Sequence, residues 1–192
     1  VLHADMNGVL LWVSPSVEQL LGWRPDQLVG TYPIDLVHPM NRDQVGGERD
    51  AVRAGAAVRG VESRVRCANG EFRWVSLQSR PIVGESGAVV AVVTAVSDCQ
   101  AEVVARRASA TLSAATGILL HADSEASLLS SMCQAAVDVG GYLFAWYGRM
   151  ADDPQKSIAH VAASREHVGY LEEIDISWDA DSHLGQGPGS IA

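Results

Sequence analysis

Hydrophobic and polar positions follow a regular order from the start of the chain. Two short apolar runs, residues 1–5 and 9–13, flank the dipeptide Asn7-Gly8, which favours a tight turn. We therefore predict two strands joined by that turn. Two short helical segments follow, each stopped by a glycine, at residues 17–22 and 25–30.

A longer helix and three further strands are predicted next. Asn41 fits the N-cap of a helix that runs through Val45, Val52 and Ala56 and ends near Gly55 or Gly60. Period-two alternation and the hairpin dipeptide Asn69-Gly70 then predict strands at residues 61–67, 72–83 and 88–97. The pattern indicates an α+β fold, a five-stranded antiparallel sheet with its helices on one face.

The pattern changes after Asp98. Apolar residues recur in steps of four and three over residues 101–121, which predicts a connecting helix with a heptad-like stripe. Four of the six stripe residues (101, 105, 108, 112, 115 and 119) are alanine. The helix could therefore form a thin coiled coil with a second copy or pack on its own domain.

The remaining residues, 122–192, show a second α/β pattern. Asp123 fits the N-cap of a helix with an apolar face, and Gly140-Gly141 ends it. Residues 142–147 are almost continuously apolar, which predicts a strand covered on both faces, and residues 158–163 could pair with it.

Six short motifs in residues 1 to about 100 occur in the order and spacing of one family. Together they resemble a PAS domain, a sensory module that seldom does chemistry itself. The matching segments are Gly8 with Trp12-Val13-Ser14-Pro15, Leu20-Leu21-Gly22-Trp23, Leu28-Val29-Gly30, Val37-His38-Pro39, Asn69-Gly70 with Arg73-Trp74-Val75, and Asp98.

Residues 122–192 resemble the N-terminal part of a GAF domain, another small-molecule sensory module. The matching segments are Val137-Asp138-Val139-Gly140-Gly141-Tyr142, Ala145-Trp146, Gly169-Tyr170-Leu171, Ser177-Trp178-Asp179 and Leu184-Gly185-Gln186-Gly187-Pro188. Both resemblances imply a fragment of a bacterial multidomain signalling protein. Its output enzyme, such as a cyclic-dinucleotide enzyme or histidine kinase, would lie beyond this fragment.

Charge and composition limit the kinds of partner and the cellular compartment that we expect for this protein. The net charge is −9. Residues 1–100 carry 9 basic and 11 acidic side chains, whereas residues 101–192 carry 5 and 12, so the acidic excess lies mostly in the second part. An acidic surface repels phosphate backbones, so we expect no nucleic-acid partner. The longest apolar run, residues 88–96, is too short for a membrane helix, and three widely spaced cysteines favour a reducing cytoplasm.

No pattern predicts catalysis or a metal site. The six histidines are scattered without metal-ligand spacing, and no G-x-S-x-G nucleophile motif occurs. The resemblance also disfavours two cofactors. Haem-binding relatives usually carry a histidine on the long helix, but residues 42–56 contain none, and flavin photosensors need a cysteine where residues 1–66 have none. We therefore expect no enzyme activity and leave the cofactor unknown.

A ligand pocket is expected between the helices and the inner face of the sheet. The residues predicted to line it are Trp12, Leu36, His38, Val52 and Val65. Two of these have another interpretation: core packing is the default for Trp12, as for Trp146, and His38 could simply hold the turn before Pro39.

Two residues are expected to relay a signal from the sheet to the connecting helix. Trp74 could face outward and meet that helix or a second subunit. Asp98 matches the aspartate that ends PAS domains, which implies an ion pair or cap between sheet and helix. However, Cys99 and Gln100 stand where the family usually has Ile-Thr. An ordinary helix cap is the other interpretation.

The predicted function is that of a sensory fragment. It would bind a small ligand or partner, form a homodimer through the sheet or the connecting helix, and pass the change to a downstream domain. The alternative is a ligand-free dimerisation scaffold.

Overall fold

The computed structural model describes residues 1–165 and 176–179. The chain divides into two compact units, Val1–Val103 and Val104–Ala192, which are described separately.

The first unit is built on one antiparallel sheet of five strands in the order β2-β1-β5-β4-β3. The strands are β1 (Leu2–Asp5), β2 (Leu10–Val13), β3 (Val58–Arg66), β4 (Phe72–Val83) and β5 (Val89–Asp98). The first strand, β1, thus pairs with the last, β5, and β2 pairs with β1 at the edge, so the sheet is completed only when the chain returns to its beginning.

Short helices and one longer helix pack on this sheet. They are α1 (Ser16–Leu21), α2 (Pro25–Leu28), two 3-10 turns (Pro33–Leu36 and Pro39–Asn41) and α3 (Arg42–Arg53). Their apolar side chains meet those of the inner face, defined as the sheet face that carries Leu77 and Val96. The buried core includes Leu10, Val17, Leu28, Val65 and Val75.

The predicted α+β fold with a five-stranded antiparallel sheet is confirmed. The helix predicted to run through Ala56 ends earlier, at Arg53, and the Ala54 N–H donates to the Asp50 carbonyl at 3.0 Å. Asn41 stands at the N-cap position, but its side chain does not cap the helix. Its Oδ1 atom instead accepts from Nε of Arg64 on β3 at 3.1 Å, which ties the start of α3 to the sheet.

The helix α4 (Gln100–His121) begins in the first unit and continues into the second. Its Val103 side chain is buried. The stripe residues Leu112 and Leu119 are exposed.

The second unit contains α5 (Glu125–Asp138) and a two-stranded antiparallel ribbon of β6 (Trp146–Met150) and β7 (Ile158–Ala163). Ser124, and not Asp123, is the N-cap of α5: its Oγ atom accepts from the Ser127 N–H at 3.2 Å.

The strand predicted at residues 142–147 is wrong in position and burial. The strand begins at Trp146, and Tyr142 and Leu143 are largely exposed. Its register is set by the turn at Asp153, whose Oδ1 atom accepts from the Ser157 N–H at 2.9 Å. The strand pairing with β7 ends at Trp146 opposite Ala163, and beyond it the Ala145 carbonyl accepts from the Ser164 N–H at 2.8 Å.

One segment of the GAF resemblance continues this ribbon. Ser177 forms a bridge with Ser157, and the Trp178 N–H donates to the Lys156 carbonyl at 2.9 Å. Two further motif segments, residues 169–171 and 184–188, lie outside the described residues.

Candidate functional site

The first unit contains a cavity of about 150 Å³ between its helices and the inner face of the sheet. We call it the helix–sheet cavity. Its walls are mostly apolar, with Leu2, Ala4, Val92 and Val96 on the sheet side and Val17 and Val45 on the helix side. An engineered apolar cavity of about 150 Å³ in another protein stays dry and binds benzene. The volume is therefore enough for a small apolar molecule of about one ring.

Polar groups occupy only parts of this wall. Ser79 and Thr94 share a hydrogen bond of 2.8 Å between their hydroxyls, so each satisfies the other. The charged wall residues are Asp5, Glu48, Arg49 and Arg53. Burial raises the pKa of the Glu48 carboxyl, and a hydrogen bond from Gln44 partly opposes this shift.

Three of the five residues predicted to bind a ligand line the helix–sheet cavity: Leu36, Val52 and Val65. Val52 is completely buried on α3, and Val65 is buried on the edge strand β3. Whether a ligand touches them stays a prediction.

Trp12 does not line the helix–sheet cavity, and its expected core packing is wrong. Its side chain is 51% exposed, and Trp12 pairs with His3 while Leu10 pairs with Ala4. A register shift between His3 and Ala4 leaves both Leu11 and Trp12 exposed between two buried residues. This irregularity places the indole on the outer face of the sheet.

His38 also lies away from the helix–sheet cavity wall. Its Nδ1 atom accepts from the Met40 N–H at 3.2 Å, so the side chain caps the 3-10 turn at Pro39–Asn41. The imidazole contacts the edge of the Phe72 ring at a centroid distance of 4.6 Å. Burial, with the positive charges of Arg64 and Arg42, lowers the pKa of His38 and favours the neutral imidazole that this cap requires. In this position His38 holds the turn.

The two predicted relay residues meet where β5 passes into α4. We call this group, formed by Arg73, Trp74, Asp98 and Gln100, the sheet–helix junction. Asp98 Oδ1 accepts from the Gln100 N–H at 2.8 Å, which satisfies a donor in the first turn of α4. Its Oδ2 atom lies 3.4 Å from Nη1 of Arg73, which also donates to the Leu20 carbonyl at 3.0 Å. Asp98 therefore contacts α4 through the cap, whereas its ion pair joins β5 to Arg73 of β4 and does not reach the helix. Its role as a relay stays a prediction.

Trp74 joins the sheet–helix junction through its backbone. Its N–H donates to Oε1 of Gln100 at 2.9 Å, and its carbonyl accepts from the Cys99 N–H at 3.2 Å. Its indole lies under the guanidinium of Arg64 from the neighbouring strand, 5.3 Å from the ring centroid. Gln100, one of the two residues that stand in place of Ile-Thr, thus ties the first turn of α4 to β4.

Removing the Asp98 side chain should loosen the start of α4. We expect Asp98→Ala to lower the free energy of unfolding by about 1 kcal/mol, mainly through the lost hydrogen bond to the first turn. The ion pair with Arg73 adds little because both side chains are more than 40% exposed. Denaturant unfolding of the 192-residue protein measures the loss. Asp98→Asn keeps an acceptor oxygen and should recover most of it; equal losses in both variants would contradict the capping role.

Sequence reasoning missed the charged wall residues of α3 and the role of Gln100. Arg49 lies four residues after Val45 and three before Val52, so helical spacing places it on the face that these valines bury. That spacing was the available signal. No local sequence pattern predicts the role of Gln100, because its hydrogen-bond partner is the Trp74 backbone on β4, 26 residues earlier in the chain.

Within residues 1–165 and 176–179, no group of three or more His, Cys, Asp or Glu side chains is arranged to hold a metal ion. No helix there has the length and apolarity needed to cross a bilayer. Cys67, Cys99 and Cys133 are buried and form no disulfide within the described residues, and burial raises the pKa of the Cys67 and Cys133 thiols.

Comparison with solved structures gives neighbours that cover about half of this chain. The N-terminal domain of a diguanylate cyclase with a PAS/PAC sensor from Marinobacter aquaeolei is 18% identical, with a TM-score of 0.48 over 53% of this chain and 94% of its own. The Drosophila melanogaster Cycle PAS-B domain with bound ethylene glycol is 14% identical, with a TM-score of 0.48 over 50% of this chain and 96% of its own. No curated protein compared with the chain matches it significantly.

The family comparison matches residues 10–96, from β2 almost to the end of β5, to the PAS fold. This segment contains four of the five strands together with α1, α2 and α3. Its antiparallel sheet with helices packed on the inner face has the architecture expected from the motifs. Residues 10–96 of this chain therefore match the PAS fold, the fold of a family of sensory signalling domains.

Proposed function

We propose that residues 1–103 are a ligand-binding sensory module and that α4 carries its signal toward the second unit. The module itself is non-catalytic. The observation that carries the proposal is the continuity of β5: Val92, Thr94 and Val96 line the helix–sheet cavity, and the same strand ends at Asp98 in the sheet–helix junction. A ligand that shifts these side chains would act on the strand that holds the start of α4.

The coupling free energy needed to pass a signal from the helix–sheet cavity to α4 is small. A ligand shifts a conformational equilibrium only by its difference in affinity for the two states, and couplings of about 1–3 kcal/mol are typical. The hydrogen bonds of Asp98 and Gln100 in the sheet–helix junction are of this size. Breaking or strengthening one of them would be enough to change the stability of the first turn of α4.

The proposal extends to the second unit and the parent protein. Residues 122–192 would be the N-terminal part of a GAF-like module in a bacterial multidomain protein, with the output enzyme beyond it. The fragment would act in the cytoplasm and form a homodimer through the sheet or α4. The outer face around Trp12 and the exposed leucines Leu112 and Leu119 support such a dimer. These same surfaces favour the alternative function, a ligand-free dimerisation scaffold.

The experiment that separates the two functions uses the purified 192-residue protein. It is denatured and any released small molecule is identified by mass spectrometry, and the native protein is screened for ligands by thermal shift. The sensory function predicts a retained compound or a saturable shift, with altered hydrogen exchange in the first turn of α4. A concentration-independent dimer with neither result would establish the scaffold and contradict the sensory function.

A further inference from the structure

One end of the helix–sheet cavity is flanked by two arginines from successive turns of α3. Arg49 and Arg53 both lie on the wall beside Gly8, in the turn between β1 and β2. The point where a Cβ atom of residue 8 would lie is 3.5 Å from Nη2 of Arg53 and 3.9 Å from Nη1 of Arg49. Apart from the chain neighbours of Gly8, no other described heavy atom lies within 4 Å of that point. One position at the wall is thus placed between two guanidinium groups.

The acid closest to these arginines lies on their outer side. Asp50 Oδ1 is 3.7 Å from Nε of Arg49 and 3.4 Å from Nη1 of Arg53, and the Asp50 side chain is 67% exposed. The nitrogens nearest to Gly8 are therefore different from those nearest to Asp50. Nε of Arg49 is buried and makes no hydrogen bond within the described part of the chain. Because the Asp50 side chain is exposed, its ion pairs with these two arginines contribute little and would compete only weakly with a ligand.

Two further acids, Asp5 and Glu48, line the same cavity. Asp5 Oδ1 accepts from the N–H groups of Asn7 and Val9, at 2.9 and 2.8 Å, and so holds the β1–β2 turn. Burial raises the pKa of the Glu48 carboxyl, which favours its neutral form. Neither acid lies within 4 Å of the point beside Gly8.

We propose that the helix–sheet cavity binds a small organic monocarboxylate, with its apolar body among the valines and leucines and its carboxylate between Arg49 and Arg53. Guanidinium groups match the planar carboxylate with charge-assisted hydrogen bonds, and Gly8 leaves room for its oxygen atoms. The volume suits an apolar body of about one ring. This inference rests on the proposed function, since it requires that the cavity binds a ligand.

The test titrates the 192-residue protein with phenylacetate and with its uncharged analogue 2-phenylacetamide, by calorimetry or by NMR shifts. Phenylacetate should bind at least about tenfold more tightly, because its carboxylate offers two anionic oxygens to the two guanidinium groups, whereas the amide offers one uncharged carbonyl oxygen. The double variant Arg49→Gln with Arg53→Gln should remove this preference while the affinity for 2-phenylacetamide stays unchanged.

Two further variants serve as a control and as a converse test. Arg59→Gln removes a charge from an exposed position of β3 outside the cavity wall and should leave both affinities unchanged. Asp50→Asn removes the competing acid and should strengthen phenylacetate binding only slightly. The single variants Arg49→Gln and Arg53→Gln, each expected to reduce the preference for phenylacetate, decide the matter if thermal unfolding shows that the double variant does not fold.

Equal binding of the two probes, or a preference that survives the loss of both arginines, would overturn the carboxylate site. The same holds if neither probe binds while the screen finds an uncharged ligand. In these cases the sensory function stands. Failure of every compound, together with the absence of a retained molecule, would instead contradict the sensory function and the carboxylate site with it.

Discussion

Replacing Val75 by aspartate is expected to abolish the cooperative unfolding transition of residues 1–103. Val75 is completely buried at the centre of the core, on β4 between β3 and β5. An unpaired carboxylate at such a position costs several kcal/mol. A domain of this size is stable by only about 5–15 kcal/mol, so the loss is comparable to the whole stability.

Thermal and denaturant unfolding, followed by near-UV circular dichroism, measure this effect. Gln78→Asp is the matched control, because residue 78 lies on the same strand and its side chain is exposed on the opposite face. We expect the control to cost about 1 kcal/mol or less. A cooperative Val75→Asp transition near the wild-type temperature would show that the core does not depend on this position.

Filling the helix–sheet cavity is expected to give the largest loss of function. Ala4 lies on β1 in the cavity wall, paired with Val92 of β5. Leucine at this position adds three carbon atoms to a space of about 150 Å³. We expect Ala4→Leu to weaken binding of the compound retained by the wild-type protein, or of the best compound from the screen, by about tenfold or more, since each lost methylene contact is worth about 0.8 kcal/mol.

The free energy of unfolding of Ala4→Leu should increase or stay unchanged, because filling an empty apolar space adds packing contacts. Thermal shift with and without the compound reports both effects. Ala95→Leu makes the same change at an exposed position of β5 and should leave binding unaffected. Wild-type affinity in Ala4→Leu would show that the ligand binds elsewhere.

The strands of the first unit were largely predictable because their signals are local. Alternation over residues 72–83 matches β4 at both ends, and the Asn69-Gly70 turn contains a glycine at φ +89°. Alternation failed where the strand is irregular. The apolar run of β2 places Leu11 and Trp12 both outside, because the register shift opposite Ala4 breaks the period of two.

The strand prediction in the second unit failed because local hydrophobicity does not show where a partner strand lies. Apolar residues alone predicted a strand at residues 142–147, but a strand forms only where a partner offers backbone groups. The position of β7 after the turn at Asp153 provides those partners from Trp146 onward. Tyr142 and Leu143 precede this pairing and are largely exposed.

The residues of the candidate site were also predictable only where the signal is local. Hydrophobic spacing was sufficient to choose Leu36, Val52 and Val65, because a buried face can be identified from its own segment. It could not distinguish them from Trp12 and His38, which are equally apolar in context but lie on the outer face and in a capped turn.

By itself, the sequence determined the order of the elements, the antiparallel sheet and the PAS resemblance, because turns, caps and periodicity act between neighbouring residues. The tertiary structure alone decided which distant groups meet. It placed Arg49 and Arg53 beside Gly8, about forty residues away in the chain, and Gln100 against the backbone of Trp74. Such contacts depend on how the helices pack on the sheet and on the strand register, and neither of these is encoded within a single segment.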